Sequence, residues 1–480
     1  MTNLYQDTIV APATTPGTGA ISIIRVSGPE AFRICDAVVQ LANGTISQAN
    51  GYTIHYGKVY TPGEASVSHL LDEVLVSVFR APHSYTGEDS VEISTHASSY
   101  IVSEIIRLLL AAGARFAQAG EFTRRAFLNG KMDLAQAEAV ADVISSTTAA
   151  SHRVAMNQLK GHFSAQLEAL REELLHMASL LELELDFSEE DVEFANREEL
   201  LHLVEETRAH VEKLAASFHQ GNLIKNGVPV AIVGAANAGK STLLNALIGD
   251  DRALVSDIPG TTRDSIEELL NLDGILFRFI DTAGIRESSD TVEKMGIERT
   301  LRMLSQAEMV LGVLDVSEEA SLFEQHLQQI LDKVQLASQK CILVLNKVDL
   351  ASQETINKNV RTINNFVISL DNKPTVLQIS AKQQKGVEEL KSALRQTQND
   401  LIANADATFV TNARHFEALQ QASEALKKVG TSLSRNIPTD LVAEDLRAAL
   451  GSINAILGKD LGLDPETILN RIFQSHCIGK

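Results

Sequence analysis

Val228-Pro229-Val230-Ala231-Ile232-Val233 runs into Gly234-Ala235-Ala236-Asn237-Ala238-Gly239-Lys240-Ser241 and on into Thr242-Leu243-Leu244-Asn245-Ala246-Leu247-Ile248. An apolar run of strand length meets a glycine-bounded loop, and the loop opens a segment of helical texture. The loop has the spacing G-x-x-x-x-G-K-[ST] in the strand–loop–helix setting that gives this spacing its meaning. Its glycines let backbone N–H groups turn inward around phosphates, at a helix N-terminus that favours anions. Lys240 is placed to reach β- and γ-phosphates and Ser241 to offer its hydroxyl to magnesium. Asn237, Ala238, Gly239 and Thr242 complete the expected cradle.

Three further elements follow in order. Asp281-Thr282-Ala283-Gly284 comes after the apolar run Ile275 to Ile280. Asp281 is expected to hold magnesium through water, and the Gly284 N–H to sense the γ-phosphate. Asn346-Lys347-Val348-Asp349 follows the run from Cys341 to Leu345. Asp349 can accept from both N1–H and N2–H of guanine, donors that adenine does not present together, and such an acceptor pair rejects the wrong base by being left unpaired. Ser380-Ala381-Lys382, after Thr375 to Ile379, adds a backbone N–H for guanine O6. With Met309 to Leu314 as a further strand, residues 227–400 alternate strands and helices, the pattern of a mostly parallel sheet, and predict a Ras-like P-loop GTPase domain. One position is unusual. Many regulatory GTPases carry a glutamine just after the Asp-Thr-Ala-Gly run to orient the attacking water. Ile285 stands there and has no polar atom for the task. Either the domain only binds nucleotide, or another group positions water and neutralises charge.

The rest of the chain bounds the answer. At 480 residues the length prior is about three domains. With 42 Lys plus Arg against 62 Asp plus Glu, the net charge is −20. That is a poor surface for coating nucleic acid, although a local basic patch or a basic partner remains open. Cys35, Cys341 and Cys477 lie far apart without a CxxC, which excludes a disulfide scaffold or Cys-rich zinc site and suits a reducing compartment. No basic residue precedes Arg25, and no apolar run approaches the ~20 residues of a membrane span, so a cytoplasmic protein is expected.

Residues 1–129 mix short β-rich runs (Ala20 to Val26, Glu73 to Phe79, Ser90 to Ser94) with one helical stretch, Tyr100 to Ala112, and predict an α+β domain. Residues 130–226 are helical. There Phe163, Leu167, Leu170, Leu174, Met177 and Leu181 form a seam that must bury against other helices. The acidic run from Glu182 to Glu193 reads as a solvated helix end and loop, in preference to a metal site or docking surface. Helical texture returns over 401–480, with Phe416, Leu419, Leu426, Val429 and Leu433 on one face. The economical architecture is a helical domain interrupted by an inserted α/β domain.

Gly260-Thr261-Thr262-Arg263-Asp264, where switch I should lie, and Asn237 in the phosphate loop resemble the TrmE-like translation-factor branch of GTPases. The flanks narrow this. Asp7-Thr8-Ile9-Val10-Ala11, Pro16-Gly17-Thr18-Gly19-Ala20, Ile24-Arg25-Val26-Ser27-Gly28 and Ser84-Tyr85-Thr86-Gly87-Glu88-Asp89 look like the N-terminus of the MnmE (TrmE) family of tRNA modification GTPases. Gly120-Glu121-Phe122, Arg125 to Lys131, Asp133 to Glu138 and the final Cys477-Ile478-Gly479-Lys480 are similar to it as well.

The resemblance implies a homodimer joined through N-terminal domains that bind 5-formyl- or 5,10-methylene-tetrahydrofolate. It also implies an FAD-containing partner, GidA (MnmG), in a heterotetramer or larger. Together they would install an aminomethyl-type (carboxymethylaminomethyl) group on carbon 5 of the wobble uridine of certain tRNAs. The absence of G-x-G-x-x-G fits flavin on the partner, and the chain's acidity fits tRNA held mainly there. By the same resemblance, Arg25, Glu92, Lys131 and Lys480 map to the folate pocket. His96 lacks the glycines that usually flank it in the family, which leaves its role open, and Cys477 has no located base. Potassium would take the place of an arginine finger, on Asn237 and the carbonyls of Ser256, Ile258 and Thr261. Asp257, Pro259 and Gly260 belong to the same nucleotide-binding loop. Thr262 would complete magnesium coordination, and Glu293 would position water through a second water. The competing expectation is a binding switch, such as a ribosome-assembly GTPase. The folate-type N-terminus and the Cys-Ile-Gly-Lys end favour the enzyme.

Overall fold

Along Ile21–Ser27 the side chains alternate, with Ile24 and Val26 buried while Ile21 and Arg25 face outward. Such period-2 alternation belongs to a sheet with one face on a core. The computed structural model describes residues 7–17, 19–61, 69–186, 197–249, 267–281, 304–305, 307–334, 339–368, 370, 372–397, 408–435, 437–459, 472–473 and 479. The strands are β1 (Ile9–Pro12), β2 (Ile21–Ser27), β3 (Val39–Leu41), β4 (Thr53–Thr61), β5 (His69–Phe79), β6 (Ser90–His96) and β7 (Arg115–Phe116). Their order in the sheet is β3-β4-β5-β6-β2-β1-β7, and only β1–β7 is parallel. Helices α1 (Ala31–Val38) and α2 (Ser99–Ala111) cover one face, where Ile34, Ile105 and Leu109 meet Ile24, Val76, Val91 and Ile93. The other face exposes Ile21, Ile54, Tyr56 and Leu75.

Helices follow: α3 (Glu121–Leu128), α4 (Leu134–Ser145), α5 (Ala149–Leu159), α6 (His162–Asp186), α7 (Arg197–Ala216) and α8 (Phe218–Asn226). All six residues of the α6 seam are buried, each no more than 3% exposed. Burying a side chain of this size contributes about 1.5–3 kcal/mol, so the seam is what holds so long a helix in place.

The second sheet comprises β8 (Val228–Gly234), β9 (Glu267–Leu272), β10 (Ile275–Asp281), β11 (Met309–Asp315), β12 (Lys340–Asn346) and β13 (Thr375–Gln378), with α9 (Lys240–Ile248) directly after β8. The order is β13-β12-β11-β8-β10-β9, parallel throughout except for β9 against β10. Helices α10 (Ala320–Lys333), α11 (Gln353–Phe366) and α12 (Val387–Gln396) complete the layers. Leu243 and Leu390 lie in one core with Ile232 and Val344; Phe323 and Ile363 lie in the other with Val233 and Leu345. A sheet covered on both sides needs strands apolar on both sides, hence the unbroken runs in β8, β11 and β12.

Two last helices, α13 (Ala413–Ser434) and α14 (Thr439–Leu457), end the described secondary structure of any length, and α14 packs along α6. By contacts the chain divides into two units: Met1–Ile144, Gln158–Arg208 and Gln421–Lys480 form one, and Ser145–Asn157 with Ala209–Gln420 the other. The protein is multidomain, α+β with helices in the first unit and α/β in the second. Among the described residues no helix is long and apolar enough to cross a membrane.

Candidate functional site

Parallel strands ending at one edge bring their following loops together, the usual place for a ligand in an open α/β sheet. The loop after β8 is the phosphate-binding candidate. Gly239, at φ +93°, is the N-cap of α9. A Cβ there would lie 2.3 Å from Asn346 Nδ2, so no other residue type fits the approach of the two loops. Asn237 is exposed with φ +64°, Ala238 is buried, and Ser241 and Thr242 are exposed in the first turn of α9. Lys240 Nζ lies across the loop, donating to the carbonyls of Gly234 at 2.9 Å and Ala235 at 2.8 Å.

Asn346, at the end of β12 and 2% exposed, is the tie between loops. Its Nδ2 donates to the Ala238 carbonyl at 2.9 Å, and its Oδ1 accepts from the Ala381 N–H at 3.1 Å. Asp349 accepts at 2.6 Å from Ser380 Oγ, which also accepts from the Gln383 N–H at 3.3 Å. Lys382 is exposed beside them. Three loops predicted separately from sequence are thus joined by side-chain hydrogen bonds. One member was not anticipated: Asp315, at the end of β11, pairs with Lys347 at 2.6 Å. The available signal was positional, because Asp315 follows the apolar run Met309 to Leu314 as Asp281 follows Ile280.

Asp281 closes β10, and its side chain lies outside what is described. Ser256, Asp257, Ile258, Pro259, Gly260, Thr261, Thr262, Thr282, Ala283, Gly284, Ile285, Glu293, Cys477 and Lys480 also lie outside the described residues. Of the acidic run, Glu182 pairs with Arg447 at 3.0 Å.

In the other unit, Arg25 and Glu92 are directly opposite on β2 and β6 and form an ion pair at 2.9 Å. Arg25 also donates to the Gly479 carbonyl at 3.1 Å, and its guanidinium lies 5.3 Å from the Tyr85 ring and 5.6 Å from the Phe122 ring. Burial pushes the Tyr85 phenol up from its ordinary value. Lys131 instead donates to the Pro82 carbonyl at 2.9 Å. His96 has a partner that sequence reading missed. Its Nδ1 meets buried Asp72 at 2.7 Å, and the same carboxylate accepts from the His96 N–H at 2.9 Å and from Thr95 Oγ1. Burial disfavours the Asp72 carboxylate, yet these donors hold it below the usual range.

Nearby, Arg125 and Glu121 are 1% and 2% exposed and pair with each other at 3.1 Å. Arg125 also reaches Asp7 at 2.7 Å and Glu88 at 3.2 Å, while Arg115 reaches Glu121 at 2.6 Å. Buried charges persist only when paired and hydrogen-bonded, and this cluster clamps the entry to β1 onto α3.

A family model described as the MnmE helical domain matches residues 134–477, and one described as the GTP-binding protein TrmE N-terminus matches residues 8–131. Proteins named tRNA modification GTPase MnmE are similar over nearly the whole chain. The one from Bacteroides thetaiotaomicron is 48% identical over 487 residues, covering 99% of this chain and 100% of its own. The one from Flavobacterium johnsoniae is also 48% identical, with the same coverage. The one from Cytophaga hutchinsonii is 46% identical, covering 99% and 98%. Among solved structures, the G domain of the T. maritima FeoB iron transporter matches 35% of this chain and 97% of its own, at 27% identity and a TM-score of 0.26. With 46–48% of positions shared over nearly the whole chain, and both family models matched in chain order, the chain belongs to the MnmE (TrmE) family of tRNA modification GTPases.

Proposed function

We propose that the chain binds GTP with magnesium at the loops after β8, β12 and β13 and hydrolyses it in a potassium-dependent manner. In this proposal it works with the FAD-dependent protein GidA (MnmG) to add a carboxymethylaminomethyl-type group to carbon 5 of the wobble uridine of certain tRNAs. The observation that carries the nucleotide part is Asn346, whose amide joins the phosphate loop to the Ala381 N–H beside Asp349. One side chain sets the spacing between the phosphate cradle and the base-reading loop, so a ligand with both a phosphate chain and a guanine edge suits it.

The residues fit the groups the proposal needs. Gly239 lets the loop turn at φ +93° into α9 with Asn346 packed where a Cβ would stand, and the N–H groups of a helix N-terminus suit a phosphate. Lys240 rests on loop carbonyls from which it can turn to phosphate oxygens. Ser241 and Thr262 would hold magnesium. Asn237, with Ser256, Ile258 and Thr261, would offer neutral oxygens to potassium, a donor set suited to a large monovalent cation. The two ions would supply positive charge against the phosphates as negative charge develops. Glu293 would orient water, and Asp349 would read guanine N1–H and N2–H.

A tetrahydrofolate derivative is proposed for the Arg25–Glu92 pair. A carboxylate suits an amino-pyrimidine edge, and the partly buried Tyr85, its ring 5.3 Å from the Arg25 guanidinium, supplies apolar surface for a flat ring. Lys131 and Lys480 would serve the acidic tail. Homodimerisation through the N-terminal domains is supported by the outer face of the first sheet, where Ile21, Ile54, Tyr56 and Leu75 are 66%, 68%, 43% and 50% exposed. The segments 1–129, 130–226, 227–400 and 401–480 remain the proposed domain division.

The test is phosphate release from GTP and ATP by the purified chain, followed by capture of partners from extract with tagged full-length protein. GTP-selective turnover and recovery of a yellow, FAD-bearing partner are expected. Recovery of ribosomal subunits instead would replace the modification role with that of an assembly switch.

A further inference from the structure

Asp315 lies outside every motif that marks the nucleotide site, yet it is tied to one of them. It is the last residue of β11, in register with Asn346 of β12, and 6% exposed. Its Oδ2 receives Lys347 Nζ at 2.6 Å. Its Oδ1 receives the Ser317 N–H at 2.9 Å and Ser317 Oγ at 2.6 Å. Burial works against this carboxylate, but Lys347 and Ser317 outweigh it and hold it below the usual range.

Lys347 is the residue in need of holding. It adopts φ +65° and ψ +34°, the left-handed region that long side chains seldom enter. The turn has a purpose. Immediately beyond it the Val348 N–H reaches the Ile379 carbonyl at 3.3 Å, the Leu350 N–H returns to the Lys347 carbonyl at 2.9 Å, and Asp349 meets Ser380. Without the turn, the chain leaving β12 would carry Asp349 away from the Ser380 loop. Strained backbone persists where its surroundings over-determine it, and here the constraints are the β11–β12 register, the Val316 N–H on the Asn346 carbonyl at 3.1 Å, and the ion pair. A largely buried ion pair is a poor source of net stability but a good source of geometric specificity.

We propose that Asp315 is a positioning residue for guanine-nucleotide binding, pinning Lys347 in its left-handed turn so that Asp349 faces the base. The inference rests on the GTP reading given above. Asp315 acts through Lys347 and the backbone it fixes, and touches no ligand itself.

The full-length protein and its Asp315→Asn, Lys347→Ala and doubly substituted forms should be compared for dissociation of a fluorescent GDP analogue. Asp315→Asn keeps the shape and removes the charge. It should speed dissociation roughly 5- to 20-fold, with association nearly unchanged. In the Lys347→Ala background the same change should add less than about 2-fold, because the partner is already gone. Effects that multiply in full would overturn the proposal, as would unchanged dissociation in Asp315→Asn. Amide hydrogen exchange over residues 347–350 in nucleotide-free protein decides the geometry separately. Faster exchange in Asp315→Asn supports the pin even if no guanine nucleotide binds, in which case the GTP reading alone falls. Unchanged exchange overturns the pin.

Discussion

Across 454 positions of chain, the Arg25 guanidinium donates to the Gly479 carbonyl while its remaining nitrogens hold Glu92. Gly479 reaches that position at φ +96° and lies so close to β1 that a Cβ would stand 2.1 Å from the Pro12 carbonyl oxygen. Only glycine allows both. Gly479→Ala should therefore displace this backbone and leave Arg25 with one partner fewer. Affinity for 5-formyltetrahydrofolate, measured calorimetrically on the full-length protein, should fall by at least ~10-fold, or about 1.4 kcal/mol. GTP turnover should stay within about 2-fold. Undiminished affinity would take Gly479 out of the site, and undiminished affinity in Arg25→Ala would remove the site itself.

Guanine selection should rest on Asp349. Replacing Asp349 by Asn turns one acceptor oxygen into a donor facing guanine's own donors. GTP affinity should drop by roughly 3 kcal/mol, the scale set by unpaired buried polar groups. Xanthosine triphosphate, which accepts where guanine donates, should bind the variant better than GTP does. Competition against a fluorescent nucleotide reads both, and an unchanged GTP constant would refute the base-pocket assignment.

Potassium dependence is expected under the proposed function, where a cation does the work for which Ile285 has no polar atom and the phosphate loop no arginine. An arginine finger supplies on the order of 10³–10⁵ in rate. If a cation on Asn237 replaces part of this, GTP turnover in sodium should be at least ~10-fold slower than in potassium at equal ionic strength. Asn237→Ala should flatten that difference while nucleotide still binds, since the cradle is backbone. Equal rates in the two salts with native protein would end the mechanism.

Acid should weaken the clamp at the start of the first sheet. Burial raises the Asp7 and Glu121 carboxyls, but hydrogen bonds from Arg115 and Arg125 prevail and both end below their ordinary values of 3.8 and 4.5. A depressed folded value means that the unfolded chain takes up protons first as pH falls. The stabilisation is therefore complete above about pH 5 and is lost as pH drops through the folded values. In urea titrations between about pH 6 and pH 3, the gap between native protein and Asp7→Asn should be constant at the upper end and close at the lower. A gap that persists unchanged at the acid end would contradict this.

The legible parts of the fold were those with a strong period. Strands β8, β10, β11 and β12 are nearly continuous apolar runs ended by Gly or an acidic or amide residue; each runs one residue past its expected C-terminal limit, and β12 also starts one residue earlier. The α6 seam was equally plain. Strand β4 was missed because Ile54 and Tyr56 point to the exposed face, while the inner one holds Thr53, His55 and Gly57 and only one buried apolar side chain, Val59. Strand β9 was missed for a different reason: only antiparallel pairing with β10 explains it, and pairing is not a local property. At the site, Asn346 and Asp349 were readable from their motif, but Asp72–His96 joins two strands and Asp315–Lys347 joins the end of one strand to the turn after its neighbour. Such pairs come from register, which one sequence does not display.

Ionic strength acts unevenly on this molecule. Dissolved ions screen charges across water over about 8 Å at physiological salt, so pairs at the surface such as Arg107–Glu104, with the arginine 57% exposed, fade as salt is added. Arg125 and Glu121 are 1% and 2% exposed, so dissolved ions screen their attraction much less. Their attraction should weaken less between dilute buffer and molar salt than that of the surface pairs, whereas the Arg125–Asp7 contact, with Asp7 42% exposed, stands nearer to the dissolved ions.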